Sequence, residues 1–308
     1  MILHCMRLTH GRISRQISTI GNGLHFLIVE GYSPEGREEL KRGGATIASV
    51  LYSNVLKSVA GPIQVTHDVL HPADGPFQAP DLSKYHGVVW TGCSLTVYET
   101  HDIRVSRQIE LAKQVYAYGV PQFGSCWAAQ IAVFAAGGNV AKNPKGREMG
   151  ISRKIQLTPE GRSHPMYEGK SSVFDAFTSH YDEITHLLPG GSVLSSNSFT
   201  STQSVAVRYL NGDFWAVQYH PEYSLREMAR LIHCRREKLV KYGIFANVQD
   251  ADKYVEDLEE LYNNPDRSDI AWRLGIDEDV LDENIRLCEA RNYVKHLVIP
   301  YKHSLQWK

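Results

Sequence analysis

The sequence predicts an α/β fold with an open, mostly parallel sheet flanked by helices. Runs typical of buried strands alternate with helical patterns in the first half, at residues 24–30, 62–67 and 85–91. A short apolar run then enters a turn at Gly124 and continues as a helix of small residues. Shorter strands follow, with an Asn-Gly hairpin signal at residues 211–212, before the sheet resumes near residue 219. This alternation is typical of a layered α/β domain.

We divide the 308 residues into three parts: an N-terminal arm (1–23), an α/β domain (24–243) and a small helical C-terminal extension (244–308). The second boundary follows a helix that Ser224 caps and Gly243 ends. We expect helices at 252–262, 269–274 and 282–298 in the extension. Their apolar positions must be buried against the α/β domain or against a second subunit in a homodimer. These positions are Tyr254, Leu258, Leu261, Trp272, Leu274, Ile285, Leu287 and Tyr293.

Bulk composition excludes several classes of function. A net charge of −1 argues against a nucleic-acid partner, and no apolar run approaches the about 20 residues needed to cross a membrane. The five cysteines are widely spread and lack a Cys-x-x-Cys motif, which favours a reducing cytoplasm and argues against a metal site. The chain has no phosphate-binding Gly-rich loop, so we expect no cofactor.

The turn after Gly124 carries the first candidate for chemistry, Cys126. Gly124 allows the backbone to turn where a side chain would clash. The helix that begins after Cys126 presents its N-terminal N–H groups and positive dipole end, which favours a thiolate. A buried structural cysteine in such a turn is the simpler interpretation of this motif alone.

Two further stretches favour a catalytic site. An apolar strand predicted at residues 214–219 is followed by His220 and Glu222, which offer a base for a thiol and a carboxylate to orient that base. A buried strand at residues 88–91 breaks at Gly92 into a loop, a natural position for backbone N–H groups that stabilise an oxyanion. Both stretches lie at the carboxyl end of predicted strands, where catalytic groups gather in open α/β sheets.

Together these stretches resemble the class I glutamine amidotransferases with a Cys-His-Glu triad, and most of all the glutaminase domain of GMP synthetases. Residues 124–130 follow the family pattern Gly-x-Cys-x-Gly-x-Gln, with Ala128 in place of the second glycine. Residues 218–222 follow Gln-Phe-His-Pro-Glu, with Tyr219 in place of phenylalanine. Three further motifs occur in the family's order, and the resemblance covers residues 24–235. They lie at residues 91–99, 147–150 and 179–182.

The resemblance implies a mechanism and assigns roles. Cys126 is expected to attack the carbonyl carbon of a γ-glutamyl amide. His220 would take the thiol proton, or pair with the thiolate, and then protonate the leaving amine. Glu222 would hold the tautomer of His220. The backbone N–H groups of Cys93 and Trp127 would form the oxyanion hole, and water would then hydrolyse the γ-glutamyl thioester.

The resemblance also implies substrate contacts. Gln130, one helical turn after Cys126, is assigned to the γ-glutamyl group. Ser179, His180 and Asp182 match a substrate-binding segment that acts mainly through its backbone, although Asp182 suits a loop-capping role as well. Two further expectations concern neighbouring side chains. Arg147 and Glu148 are expected to form a structural ion pair, and Trp127 either packs against the sheet or lines the pocket for the leaving group.

Three functions remain open. The first is a self-sufficient hydrolase of N-substituted γ-glutamyl amides, similar to the γ-glutamylanilide and γ-glutamylalkylamine hydrolases of amine degradation. The second is a glutaminase subunit that supplies ammonia from glutamine to a separate synthetase. The third is a catalytically silent binding relative, against which the intact Cys126, His220 and Glu222 count. For the first, the extension either forms an apolar pocket for the amine together with Trp127, if it covers the carboxyl edge of the sheet, or only mediates dimerisation.

Overall fold

A large mixed sheet forms the centre of the computed structural model, which describes residues 23–305. The predicted N-terminal arm lies outside the described residues except for Gly23. Within residues 23–305, nine strands form one sheet in the order β2-β1-β3-β4-β11-β10-β9-β6-β7, and β5 pairs with β8 separately. The strands are β1 (Leu24–Val29), β2 (Val65–Leu70), β3 (Gly87–Trp90), β4 (Gln122–Ser125), β5 (Asn139–Lys142), β6 (Glu148–Leu157), β7 (Val173–His180), β8 (Asp182–His186), β9 (Gly191–Ser196), β10 (Ser204–Tyr209) and β11 (Gly212–Val217).

The half of the sheet that carries the candidate residues is parallel. Strands β1 to β4 and β11 run in one direction, and β4 lies between β3 and β11. Their carboxyl ends therefore meet at one edge, where Gly92, Cys126 and His220 follow three adjacent strands. Strands β6, β7, β9 and β10 extend the sheet in antiparallel pairs. The predicted α/β fold is confirmed.

Helices cover both faces of the parallel half. The helical pattern at residues 37–59 breaks after Gly43, and Gly119, in a left-handed conformation, ends the helix behind β3. In the described part of the chain, the first five helices are α1 (Pro34–Arg42), α2 (Ala48–Val59), α3 (Ile103–Tyr118), α4 (Trp127–Ala135) and α5 (Pro159–Ser163). Short 3-10 turns occupy Leu82–Lys84 and Pro165–Tyr167.

A long helix, α6 (Leu225–Lys241), follows the strand that precedes His220. Ser224 caps it as expected, since its side chain accepts a hydrogen bond from the N–H of Glu227. The remaining helices are α7 (Val248–Asn263), α8 (Ser268–Leu274), α9 (Glu278–Leu281), α10 (Glu283–Arg286), α11 (Cys288–Tyr293) and α12 (Ile299–Leu305).

The predicted helix at 282–298 is interrupted. It breaks at Leu287, and a π-helical turn spans Val294–Val298. Pro300 follows two residues later and has no N–H to bond back into the helix, which accounts for the local widening.

The C-terminal helices supply part of the sheet's own core. Leu287, Tyr293 and Val298 share an apolar cluster with residues of β1, β3, β4 and β11. The Tyr293 ring stacks on Phe123 at 5.3 Å, and its hydroxyl donates to the carbonyl of Pro121 at 2.9 Å. The last helices are therefore a layer of the α/β domain.

The first helices of the extension pack elsewhere. Leu258 and Leu261 of α7 and Leu274 of α8 are buried in a cluster with α6. Trp272 was expected to be buried, but its side chain points away from that cluster and the residue is 90% exposed.

Candidate active site

The turn between β4 and α4 is a strained elbow. Cys126 has φ 54° and ψ −99°, a conformation that a residue with a side chain rarely adopts. A Cβ on Gly124 would lie 2.3 Å from the carbonyl oxygen of Trp90 and 2.5 Å from the Cβ of Ala128. Glycine is therefore required before the turn, and the alanine at position 128 fits against it. The elbow presents the Cys126 thiol at the edge of the parallel sheet.

Cys126 and His220 meet beside Gly92. A Cβ on Gly92 would lie 3.0 Å from Cε1 of His220 and 3.7 Å from Cβ of Cys126. The Cys126 thiol is 3.6 Å from the carbonyl oxygen of Ser179, which accepts its weak hydrogen bond. All these residues except Gly92 line a cleft of about 200 Å³. The absence of a side chain at Gly92 leaves room for the thiol and the imidazole.

A chain of hydrogen bonds orients His220. Its Nδ1 donates to Glu222 Oε1 at 2.7 Å, and that oxygen also accepts the hydroxyl of Ser125 at 2.7 Å. The hydroxyl of Tyr52 in turn donates to Ser125 Oγ at 2.9 Å. The Tyr223 ring lies parallel to the imidazole at 4.2 Å. This arrangement fixes the tautomer with Nε2 free to accept or donate a proton.

The electrostatics of His220 favour its protonated form. Burial lowers its pKa, but the Glu222 carboxylate and the interaction with Cys126 outweigh burial and raise the pKa to about 10. Its Nε2 is buried and makes no hydrogen bond with any residue in the described part of the chain. An imidazolium beside a thiolate is the charge state that suits a cysteine nucleophile.

The two predicted oxyanion-hole residues use their side chains elsewhere. Trp127 is the first residue of α4, and its indole donates to Gln108 Oε1 at 2.8 Å inside the core. Trp127 is therefore absent from the lining of the cleft, contrary to one of its two expected positions. The Cys93 sulfur accepts the N–H of Leu95 at 3.4 Å, and burial raises the pKa of this thiol well above its usual value. Cys93 thus stays protonated.

All four residues assigned to the substrate line the cleft, but the His180 side chain is engaged elsewhere. Gln130 lies on α4, and Asp182 accepts the hydroxyl of Tyr98 at 3.1 Å. Burial raises the pKa of Asp182. Ser179 contributes the carbonyl that contacts Cys126. The imidazole of His180 instead bonds Glu148 at 2.7 Å and the carbonyl of Asp182 at 3.0 Å, which holds the segment in place.

The ion pair expected between Arg147 and Glu148 is therefore wrong. Glu148, the first residue of β6, accepts hydrogen bonds from His180, Asn197 and Gln203 and does not line the cleft. Arg147 lines the cleft instead. Neighbouring residues on a strand point to opposite faces, so two adjacent charges seldom pair with each other.

Sequence reasoning missed much of the remaining cleft wall. Tyr32 follows β1, and Arg235 and Tyr242 come from the end of α6 and the residue after it. Arg235 lies 3.4 Å from Glu39 and donates to the hydroxyl of Tyr32 at 3.5 Å. The sequence predicted α6 as a helix of the α/β domain. An amphipathic pattern indicates which face of a helix is buried, but it does not indicate that the helix borders a cleft. No described residue after Gly243 lines this cleft, so the expected apolar pocket from the extension is wrong.

Residues 23–305 contain neither a metal-binding cluster nor a membrane-spanning helix. No group of three or more His, Cys, Asp and Glu side chains is placed to hold a metal ion. No helix in this range combines the length and apolar character needed to cross a membrane.

The elbow, the adjacent imidazole–carboxylate pair and the sheet order define a class of protein. The family model for class I glutamine amidotransferases matches residues 52–235, and the chain belongs to this family. A glutamine amidotransferase from Thermotoga maritima superposes with a TM-score of 0.62 over 90% of this chain and 99% of that one, at 16% sequence identity. The resemblance seen in the sequence is confirmed.

The relatives within the family carry the names of different enzymes, namely hydrolases, peptidases and synthases. The chain is 31% identical to a γ-glutamyl-L-1-hydroxyisopropylamide hydrolase from a Pseudomonas species, over 92% of this chain and 97% of the relative. It is 27% identical to γ-glutamyl peptidase 4 of Arabidopsis thaliana, over 56% of this chain and 68% of the relative. It is 32% identical to a GMP synthase of Methylobacillus flagellatus, over 44% of this chain and 25% of that longer protein.

Proposed function

We propose that this protein hydrolyses an N-substituted γ-glutamyl amide and releases glutamate and an amine, with Cys126 as the nucleophile. The observation that carries the proposal is the strained elbow at Cys126 beside an imidazole whose other nitrogen is held by Glu222. Strain at one residue with a reactive side chain in a cleft is typical of a catalytic position.

The geometry supports two chemical steps. In the first, the Cys126 thiolate bonds to the amide carbon, the C–N bond breaks, and His220 gives its Nε2 proton to the departing amine. In the second, water loses a proton to His220 and attacks the γ-glutamyl thioester, and the C–S bond breaks to give the γ-carboxyl group of glutamate and the Cys126 thiolate, which restores the starting ion pair. Glu222 stabilises the imidazolium in both steps. The backbone N–H groups of Cys93 and Trp127 are the proposed oxyanion hole.

The relatives support an amine larger than ammonia as the leaving group. The match to the hydroxyisopropylamide hydrolase spans nearly both chains and so includes the C-terminal helices. The GMP synthase match spans less than half of this chain. We therefore favour a small N-substituted amide, of which the hydroxyisopropylamide and the anilide are two examples. We place the reaction in the cytoplasm, since the four cysteines among the described residues form no disulfide.

A glutaminase subunit is the second candidate, because several relatives are GMP synthases. The two functions differ in what the isolated chain does. An amide hydrolase turns over its substrate alone, with a higher specificity constant for a γ-glutamylalkylamide or γ-glutamylanilide than for glutamine. Turnover of glutamine that appears only after a synthetase is added would replace the first candidate with the second.

The nucleophile is tested by a matched pair of cysteine variants. We expect Cys126→Ala to abolish hydrolysis with the fold intact, whereas Cys93→Ala keeps at least about half of the activity, because only Cys126 occupies the elbow. Mass spectrometry of the quenched reaction should find the γ-glutamyl group on the peptide that contains Cys126. An active Cys126→Ala variant would remove the mechanism.

A further inference from the structure

We infer that Arg147 binds the α-carboxylate of the substrate's γ-glutamyl group and so selects substrates in which this carboxylate is free. The inference rests on the proposed function and names what holds the end of the substrate away from the scissile bond. Arg147 directly precedes β6 and borders the same cleft as Cys126.

The Arg147 guanidinium forms no direct ion pair with a carboxylate in the described part of the chain. Its Nε is buried without a hydrogen-bond partner, and Nη1 donates to the neutral hydroxyl of Ser179 at 3.2 Å. Burial, with the nearby positive charge of Arg235, lowers the pKa of Arg147. A guanidinium stays protonated in proteins, so an uncompensated charge here is an energetic cost that a bound anion removes.

Two aromatic rings hold the guanidinium in place. Its Cζ lies 5.9 Å from the centre of the Tyr181 ring and 5.8 Å from that of Tyr242. The two rings stack on each other with centres 6.0 Å apart. Ring faces attract a cation but leave its N–H edges free, and those edges match the two oxygens of a carboxylate.

The position of Arg147 relative to the nucleophile suits a γ-glutamyl group. Ser179 links the two, because its hydroxyl accepts from Arg147 while its carbonyl contacts the Cys126 thiol. Asp182 lines the same cleft and offers a carboxylate to the α-ammonium of the same group. An α-amino acid head carries both charges, so a cation and an anion in one cleft complement it.

The other cations at the cleft are less suited. Arg235 is already engaged with Glu39 and Tyr32. Lys238 is an exposed side chain on the outer wall of the cleft. A hydrated lysine at the surface gives little selectivity between a carboxylate and a carboxamide.

The test compares a γ-glutamylalkylamide that has a free α-carboxylate with the same compound carrying an α-carboxamide. For the parent chain we expect a much higher kcat/KM with the free carboxylate. Arg147→Met should lower kcat/KM for the substrate with the free carboxylate by about 100-fold, mainly by raising KM. The same variant should change kcat/KM for the carboxamide substrate by no more than about threefold. Arg147→Lys keeps the charge without the bidentate geometry, and its kcat/KM for the substrate with the free carboxylate should fall by about tenfold.

Lys142→Met is the matched control. The Lys142 ammonium lies 5.1 Å from the centre of the same Tyr181 ring, but the side chain is exposed and does not line the cleft. This variant should keep the parent's preference for the free carboxylate. Equal losses on both substrates in Arg147→Met, or a parent chain without preference between them, would overturn the inference.

A binding experiment separates this inference from the proposed function. In the Cys126→Ala chain, calorimetry should detect tighter binding of L-glutamate than of L-isoglutamine, which differs only in its α-carboxamide. Adding Arg147→Met should remove that difference. If the parent chain hydrolyses no γ-glutamyl amide but this difference depends on Arg147, the proposed function fails and the carboxylate site stands. If Arg147→Met leaves the difference unchanged, the site fails whatever the activity.

Discussion

A buried ion pair between the C-terminal helices and the sheet allows one stability prediction to be developed from distances. Glu289 on α11 and Lys170 lie 3.2 Å apart, and their side chains are 0% and 2% exposed. Lys170 also donates to the carbonyl of Ile285 at 2.9 Å. The hydroxyl of Tyr219, next to His220 in sequence, donates to Glu289 at 2.6 Å and contacts the hydroxyl of Tyr167 at 2.8 Å.

Replacing only one member of this pair should be costly. Glu289→Gln leaves the Lys170 ammonium buried without a negative charge, and we expect the free energy of unfolding to fall by about 3–5 kcal/mol. Tyr219→Phe restores the family's phenylalanine but removes one hydrogen bond to a charged group, which should cost about 1.5–3 kcal/mol. The double variant Lys170→Met with Glu289→Met removes both charges and should be less destabilised than Glu289→Gln.

Urea unfolding followed by circular dichroism measures these differences, provided that the m-values of parent and variants agree. The two single methionine variants complete a double-mutant cycle with the double variant, and we expect strongly non-additive losses. A loss below about 0.5 kcal/mol for Glu289→Gln would refute the reasoning, since that is the size of an ordinary surface substitution.

Two further predictions concern the triad and the extension. The parent's kcat/KM should fall as the pH rises through about 10, where His220 loses the proton needed by the leaving amine. Glu222→Gln should move that limb to lower pH, because the Glu222 charge raises the pKa of His220. An unchanged limb in the pH profile would contradict this role. A chain ending at Gly243 should fail to fold, because it lacks Tyr293 under the sheet and Leu258 against α6. The loss of packing in the truncated chain would be measured by near-ultraviolet circular dichroism and by binding of a dye that fluoresces on exposed apolar surface. A spectrum like that of the parent chain would show the prediction wrong.

The sequence predicted the site best where the chemistry is local. The elbow at Cys126 and the pair of His220 and Glu222 each lie within a few residues of a predicted strand end, and the motifs shared with the family indicated that they belong to one site. Strand β5 was missed because it is only four residues long and only Val140 among them is buried. Strand β8 was also missed, since only its first residue, Asp182, was interpreted, as part of the substrate-binding segment.

Contacts between distant parts of the chain could not be predicted. Glu148 and His180 are 32 residues apart and pair across neighbouring antiparallel strands, a register that single-sequence patterns do not fix. The same limit applied to the extension. The pattern of its apolar residues predicted that they are buried, but not where. The structure shows that Leu287 and Tyr293 lie under the sheet and that Trp272 faces outward.

The place of the late helices in the core also bears on how the protein is made. Residues 287–298 cover strands that precede them by up to about 270 positions. Part of one apolar face of the sheet therefore stays uncovered throughout most of its synthesis, although α2 covers another part of that face. Since translation adds roughly 5–20 residues per second, strand β1 waits many seconds for its last covering helix. During that interval the nascent chain offers chaperones and proteases an exposed β-sheet surface. We therefore expect a chain whose synthesis stops before residue 287 to keep this surface exposed and to be degraded.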